Sequence, residues 1–398
     1  MTTAVVVEDD LAGLPGPARA LLDASPHLYA SPPWLAVEQQ SHPGRSAYVH
    51  ATAGGDATAV AAVHGFDGSS NPWPAARLDL FLRDQAGADD VAGQAVLPCW
   101  LLGGRRPGHS RVLTDGPPEV RRELLHRLVG GAAEAAARSG AASLAALYCD
   151  RDDRDLEAAF TAHGATRFPA PGLNRLELPE GGWDGWLAGL SKKRRYAELA
   201  DARKLAEAGV ELTCRPLSDR DVDEVLPLEL ALYDRYGHDY RHSEARSLHF
   251  AYLRHLGDDA LVVRAVRQGH LLGFASLVRS GSTVHVRQAG FDTAACEGVP
   301  VYFGTVFHEP IRWAVTAGVR ILDLSTSMDD MKRRRGATTF PRDAWVLPLT
   351  QDARAAVVRM SSEATEPAAQ PPGPPGPPGR SWPPGPPGFM RRRAPVGR

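Results

Sequence analysis

Between residues 47 and 164 the chain alternates two kinds of apolar pattern. AYVHATAG (47–54), ATAVAAVHGF (57–66) and ARLDLFLRD (76–84) are short apolar-rich runs with turn residues between them, and they predict three successive strands. The stretch PPEVRRELLHRLVGGAAEAAARSG opens on Pro117 and Pro118 and closes on Gly140, which predicts a helix over 118–138. Proline is pre-set for a first helical turn, and glycine accepts the left-handed exit. A buried strand over 141–149 (AASLAALYC) and a helix over 155–164 (DLEAAFTAHG) follow. The second half repeats this grammar. VELTCRPL (210–217), ALVVRAVRQ (260–268), HLLGFASLVRSG (270–281) and STVHVRQAGFD (282–292) predict strands, FGTVFHEPIRWAVTAG (303–318) a helix, and VRILDLST (319–326) a closing strand.

Three antiparallel strands feeding a helix and a parallel strand imply an α/β (α+β) class with mixed, mostly antiparallel sheets, occurring twice. The halves, 1–180 and 181–350, share an order of elements but no sequence repeat. From about residue 351 the pattern ends: PPGPPGPPG (371–379) and PPGPPG (383–388) cannot make helix or sheet, because Pro lacks a donor and Gly a side chain to pack. A disordered or polyproline-II tail is expected over 351–398, solvated by Arg391, Arg392 and Arg393.

With 398 residues, 43% of them hydrophobic, the chain can bury two ordinary cores. Its net charge is -2, and the segment from 351 holds seven Arg against three acids, which leaves the preceding body near -6. No global field draws it to DNA or an anionic membrane, so any polyanion must be met by a local patch. Cys99, Cys149, Cys214 and Cys296 have neither CxxC spacing nor a His-rich neighbourhood; they read as reduced core thiols, and no metal site is expected. The N-terminus MTTAVVVEDD lacks a basic region, and no run approaches the roughly 18 apolar residues of a membrane span. The expectation is a cytoplasmic enzyme.

LSKKRRYAEL is the strongest local signal. Ser191 is a good helix N-cap, which puts Lys192, Lys193, Arg194 and Arg195 in a first turn whose free N–H groups and positive dipole end already disfavour cations. The chain has four lysines and two stand here. A bound phosphate would relieve this turn; the plainer alternative is a solvated basic face. YDRYGHDYRH (233–242) crowds Tyr233, Tyr236, His238, Asp239, Tyr240 and His242 together. Tyr236 and Tyr240 could line an acceptor pocket or stack an adenosine, and the alternative is a polar helix connection.

Three segments in order resemble the Fem-like peptidoglycan-related acyl and aminoacyl transferases of the GNAT superfamily: SPHLYASPPWLAVEQ (25–39), WDGWLAGLSKKRRYAELADARKL (183–205), and residues 290–337, which end in a Lys-x-x-Arg-Gly signature. The resemblance covers about 25–348. It implies tandem acetyltransferase-like halves and transfer of an acyl or aminoacyl group from acyl-CoA or aminoacyl-tRNA to an amine, with no bound cofactor. On this resemblance Lys332 and Arg335 of MKRRRG lie beside the cleft, where they would hold a phosphate or polarise a carbonyl. The family's inserted coiled-coil arm is absent between 205 and 260, which points to a small-molecule or peptide amine as acceptor.

Acyl transfer to an amine needs an aligned donor, a proton acceptor and oxyanion stabilisation. Candidates for the base are His308, Glu309 and Asp323; Tyr302 could donate to the oxyanion or leaving group; and backbone N–H groups of VRQAGFD (286–292) could line the oxyanion site. The pyrophosphate loop of acetyl-CoA enzymes has no match in AACEGVPVYF, and its nearest string is Arg105, Gly108 and Ser110. That favours tRNA as donor, whereas the absence of a broad basic face favours CoA. Folding is expected to bring the two basic clusters to opposite lips of one groove. The rival reading is a non-catalytic protein of the same fold that binds a phosphorylated metabolite or a partner.

Overall fold

The structure, a computed structural model, describes residues 5–41, 44–53, 57–66, 74–237 and 240–363. These comprise two compact units, one of residues up to 173 with 340–363, the other of residues 174–339. His238, Asp239 and the Pro-Gly repeats with Arg391, Arg392 and Arg393 lie outside the described residues.

In the first unit, strands β1 (Val5–Glu8), β2 (Arg45–Ala53), β3 (Ala57–Phe66), β4 (Cys99–Leu102), β5 (Leu113–Thr114) and β6 (Ser143–Asp150) alternate with helices α1 (Gly16–Asp23), α2 (Pro32–Ser41), α3 (Leu78–Ala86), α4 (Asp90–Ala95), α5 (Pro118–Arg138) and α6 (Arg154–Ala162). β1 to β4 pair antiparallel in sequence order, and β4 then pairs parallel with β6. Leu124, Leu125, Leu128 and Val129 of α5 cover one sheet face.

The run at 76–84, expected to be a strand, is helix α3. Leu78, Phe81, Leu82 and Ala86 recur at helical spacing and are all buried, and Gly87, at φ 67°, closes the helix. The stretch was short enough for alternation to imitate this spacing.

The second unit starts inside β7 (Thr166–Glu177), then runs through α7 (Gly182–Gly189), α8 (Lys192–Glu207), β8 (Glu211–Pro216), α9 (Asp219–Arg235), α10 (His242–Leu256), β9 (Ala260–Arg267), β10 (His270–Ser280) and β11 (Thr283–Phe291). It continues with α11 (Val301–Phe303), a π turn (Gly304–His308), α12 (Glu309–Thr316), β12 (Ile321–Asp323) and α13 (Asp329–Arg333), and ends inside β13 (Thr338–Pro348). β8 to β11 pair antiparallel in order, β11 pairs parallel with β12, and β12 pairs antiparallel with the last residues of β7. β13 pairs antiparallel with β6, as β7 does with β12, so each unit has the same six-strand order.

Phe307, Ile311 and Ala314 pack with Trp186 and Leu187 on one face of the second sheet. Fully burying a side chain of the size of Phe307 or Ile311 contributes about 1.5–3 kcal/mol. α9 presses on β11 at Gly290, where an added Cβ would lie 2.5 Å from the Glu229 amide nitrogen, so only glycine fits. The helix expected over 303–318 is interrupted because Pro310 has no N–H to give; the π turn absorbs the break, and Pro310 sits in the first turn of α12.

The expected tail begins too early at 351: α14 (Gln351–Glu363) is helical, and it buries Ala353, Ala356, Val357 and Met360 in the first unit's second core cluster. Met360→Ala is expected to lower unfolding free energy by about 2–5 kcal/mol in urea titration. An unchanged midpoint would mean that α14 does not pack there.

Candidate active site

β11 and β12 pair only over Thr283–His285 with Ile321–Asp323. Beyond that short ladder β11 continues to Phe291, while the chain after β12 turns into Leu324–Met328, so the two backbones part into a wedge. β11 carries a register shift against β10 between Ala275 and Leu277, which bends the strand where the wedge opens.

The Leu324–Met328 loop is strained. Ser325, Ser327 and Met328 have φ of 59°, 65° and 55°, a region that costs non-glycine residues about 1–3 kcal/mol each. Three side chains hold it. Lys332 Nζ donates to the carbonyls of Leu324 (2.6 Å), Thr326 (2.8 Å) and Ser325 (3.4 Å). Asn174 Nδ2 donates to the Ser325 carbonyl at 3.2 Å and to Asp329 Oδ1 at 2.8 Å, while Thr339 Oγ1 donates to Asn174 Oδ1 at 2.7 Å. Asp323 Oδ1 accepts from the Ser325 amide at 3.0 Å.

Lys332 therefore does not have the placement expected of a group that contacts substrate. It is 4% exposed and its ammonium is spent on loop carbonyls. Burial pushes it down to about 7, an effect that the carboxylates of Asp329 and Asp323 only partly offset.

Arg194 and Arg335 do meet, but on a carboxylate of the chain itself. Glu198, fully buried on α8, takes ion pairs from Arg194 Nε (2.9 Å) and Arg335 Nε (3.0 Å) on Oε1, and bonds His308 Nε2 at 2.8 Å through Oε2. Burial alone would raise the Glu198 carboxyl; the His308 hydrogen bond and the Arg335 and Arg194 charges outweigh it and hold the group below the usual range. The Arg335 guanidinium lies 3.8 Å from the Phe303 ring centre, and Trp186 Nε1 donates to the Arg335 carbonyl at 2.8 Å. Arg195 caps the C-terminus of α7 through the Leu187 and Ala188 carbonyls. Lys192 and Lys193 remain exposed, and among the described residues neither meets a carboxylate. The two clusters converge on Glu198, with one pair of lysines left in solvent, in place of the open groove expected between them.

His308 is buried against Trp183 and held by Glu198; burial keeps it below the ordinary imidazole value, hence neutral at pH 7. Glu309 lies near Cys214 of β8, and burial raises it. Asp323 faces Arg175 and His285, each at 3.5 Å, and its Oδ1 caps the loop. Each of the three base candidates is thus tied to a structural partner or set away from the wedge.

Tyr302 stands in the wedge. Its hydroxyl is 4.0 Å from Met328 Sδ, its ring 5.8 Å from that of Phe291. Burial raises the phenol, the Arg335 charge lowers it and the neighbouring Tyr236 raises it further, so Tyr302 stays protonated. The Tyr240 ring packs at a tilt against that of Tyr233, with centres 4.6 Å apart.

The 292–300 loop satisfies several of its own amides. Asp292 Oδ1 accepts from the Ala295 amide at 2.9 Å, the Asp292 carbonyl from the Cys296 amide at 2.9 Å, and His270 Nε2 pairs with Asp292 Oδ2 at 3.0 Å. Sequence reasoning missed Glu198 and Asn174. Only the four-residue spacing from Arg194 to Glu198 could have pointed to the first of them.

Residues 192–333 match the family model described as an acetyltransferase (GNAT) domain. No curated protein matches the sequence. Among solved structures, FemX aligns with a TM-score of 0.58 at 10% identity, covering 91% of this chain and 100% of its own. A tandem GNAT protein from the clavulanic acid biosynthesis pathway gives 0.52 at 15% identity, covering 88% and 99%. A conserved protein of unknown function from Bacteroides thetaiotaomicron gives 0.51 at 12%, covering 86% and 99%. At these identities the likeness is one of fold.

Two stability tests follow from the buried charges. Glu198→Gln leaves Arg194 and Arg335 uncompensated and is expected to cost about 3–5 kcal/mol by chemical denaturation; a loss under 1 kcal/mol would contradict the network. Lys332 binds its proton less tightly folded than unfolded, so the unfolded chain holds more protons between pH 7 and about 10. Wild type should therefore gain stability relative to Lys332→Met as pH rises through that window, and a constant difference would mean the ammonium is not buried.

Proposed function

We propose that this chain, a Fem-like member of the GNAT acetyltransferase superfamily, moves an aminoacyl group from aminoacyl-tRNA to the amine of a small molecule or peptide. The observation that carries the reading is the three-residue β11–β12 ladder, which leaves the edge of Val286–Phe291 facing a pinned loop and a protonated phenol. A carbonyl seated at that edge can accept from strand N–H groups. As the amine lone pair attacks and the N–C bond forms, the oxyanion is stabilised there. When the C–O bond to the ribose breaks, Tyr302 supplies the proton to the leaving oxygen, and the proton lost by the attacking amine returns through solvent to the Tyr302 phenolate.

Two observations favour the tRNA donor over acyl-CoA. Asp292 already takes the Ala295 and Cys296 amides of the loop after β11, where a pyrophosphate would need free donors. On α8, Lys192 and Lys193 are exposed, and one helical turn on Tyr196 is 58% exposed, a cationic and aromatic surface suited to a nucleic-acid end. The electrostatic role expected of four basic residues thus falls to two.

The test incubates the protein with radiolabelled aminoacyl-tRNA pools or acyl-CoAs and mixed amines. Transfer from aminoacyl-tRNA is expected. Tyr302→Phe should lower kcat about 100-fold, and replacing Lys192 and Lys193 by alanine should raise KM for tRNA and flatten its salt dependence by roughly 1–2 logarithmic units per decade. Transfer from acyl-CoA alone would overturn the donor assignment, and transfer from no donor the enzyme itself.

A further inference from the structure

Glu229 of α9 is fully buried, and unlike Glu198 it meets no guanidinium among the described residues. Its Oε2 is 2.7 Å from His249 Nε2 of α10, itself fully buried, while Glu229 Oε1 and His249 Nδ1 have no hydrogen-bond partner among the described residues. A buried carboxylate oxygen left open is costly, and native structures keep such groups where a ligand completes them. Position matters too. The Glu229 backbone touches β11 at Gly290, so the helix that carries this carboxylate packs on the strand whose edge forms the wedge.

Positions four and seven residues on from Glu229 share its helix face, and these are Tyr233 and Tyr236, both half-buried. A helical side chain covers the turn before its own Cα, which sets Tyr233 over Glu229. Tyr240 packs on Tyr233, and Tyr236 neighbours Tyr302. Phenols thus gather at the end of the helix that carries the open carboxylate oxygen, a combination that attracts a cation and offers a neutral molecule little.

We infer that Glu229, with Tyr233 and Tyr236, is the recognition site for the acceptor, and that the acceptor binds as a primary ammonium ion on an apolar stem, which yields one proton to solvent before its lone pair attacks. The inference rests on the amine-acceptor reading above and adds the charge state and the seat. His249 holds one carboxylate oxygen and so turns the other to the ligand.

The experiment is calorimetric titration of the full chain, at pH 7, with phenethylammonium and n-butylammonium ions and with phenethyl alcohol and n-butanol as neutral counterparts. The ammonium ions should bind at least 10-fold more tightly than the alcohols, and Glu229→Gln should erase that preference while circular dichroism stays unchanged. Should Glu229→Gln not fold, Tyr236→Leu serves: ammonium affinity should fall at least 3-fold more than alcohol affinity. Equal binding of ions and alcohols by wild type, no binding of either, or a preference that survives Glu229→Gln would overturn the site. Because this readout needs no donor, ammonium binding dependent on Glu229 stands even if no transfer is ever detected. Conversely, transfer without that dependence removes the site and spares the enzyme.

Discussion

One buried carboxylate organises the second unit. A carboxylate taken out of water loses several kcal/mol of hydration unless charge and hydrogen bonds replace it, and Glu198 receives both, from Arg194, Arg335 and His308. These partners come from the first turn of α8, the segment after α13, and the π turn before α12. Fixing them to one point fixes the ends of three connections at once. The segment that holds Arg335 is also the one whose Lys332 reaches back to the Leu324–Met328 loop, and the Lys332 carbonyl accepts from the Arg335 amide at 2.9 Å. The charge network and the strained loop are therefore mechanically continuous.

That continuity explains a division of labour between basic residues that look alike in sequence. Arg194, Arg195, Lys332 and Arg335 are consumed by structure: one carboxylate, one helix end and one loop. Three left-handed residues within four positions could not persist in a free loop, and donors from Lys332 and Asn174 on its carbonyls supply the compensation. Lys192 and Lys193, at the solvent face of α8, stay available to a partner.

The order of elements was legible because strands of period two and helices of period 3.6 leave different marks, and the meander followed by a parallel strand is found in both units. Legibility failed where a pattern was short or its meaning non-local. ARLDLFLRD satisfies both periods over nine residues, and burial of Leu78, Phe81 and Leu82 decides between them. Lys332 and Arg335 were identified as important, yet no sequence shows whether a cation faces a ligand or its own chain. Glu198 and Glu229 were invisible for the converse reason. Each is a glutamate in a helix rich in charge, and only the fold reveals that it is buried, the first with three partners and the second with one.

The claim that bears the most weight is that the splayed end of β11 is where the reacting carbonyl sits. Crystals of the protein soaked with puromycin, a stable mimic of an aminoacylated adenosine end, test it directly. The account expects density for the amino-acid portion between Val286–Phe291 and Leu324–Met328, with its carbonyl oxygen within about 3 Å of a β11 amide and near the Tyr302 hydroxyl. Density only elsewhere on the molecule, with the wedge filled by its own side chains, would contradict it.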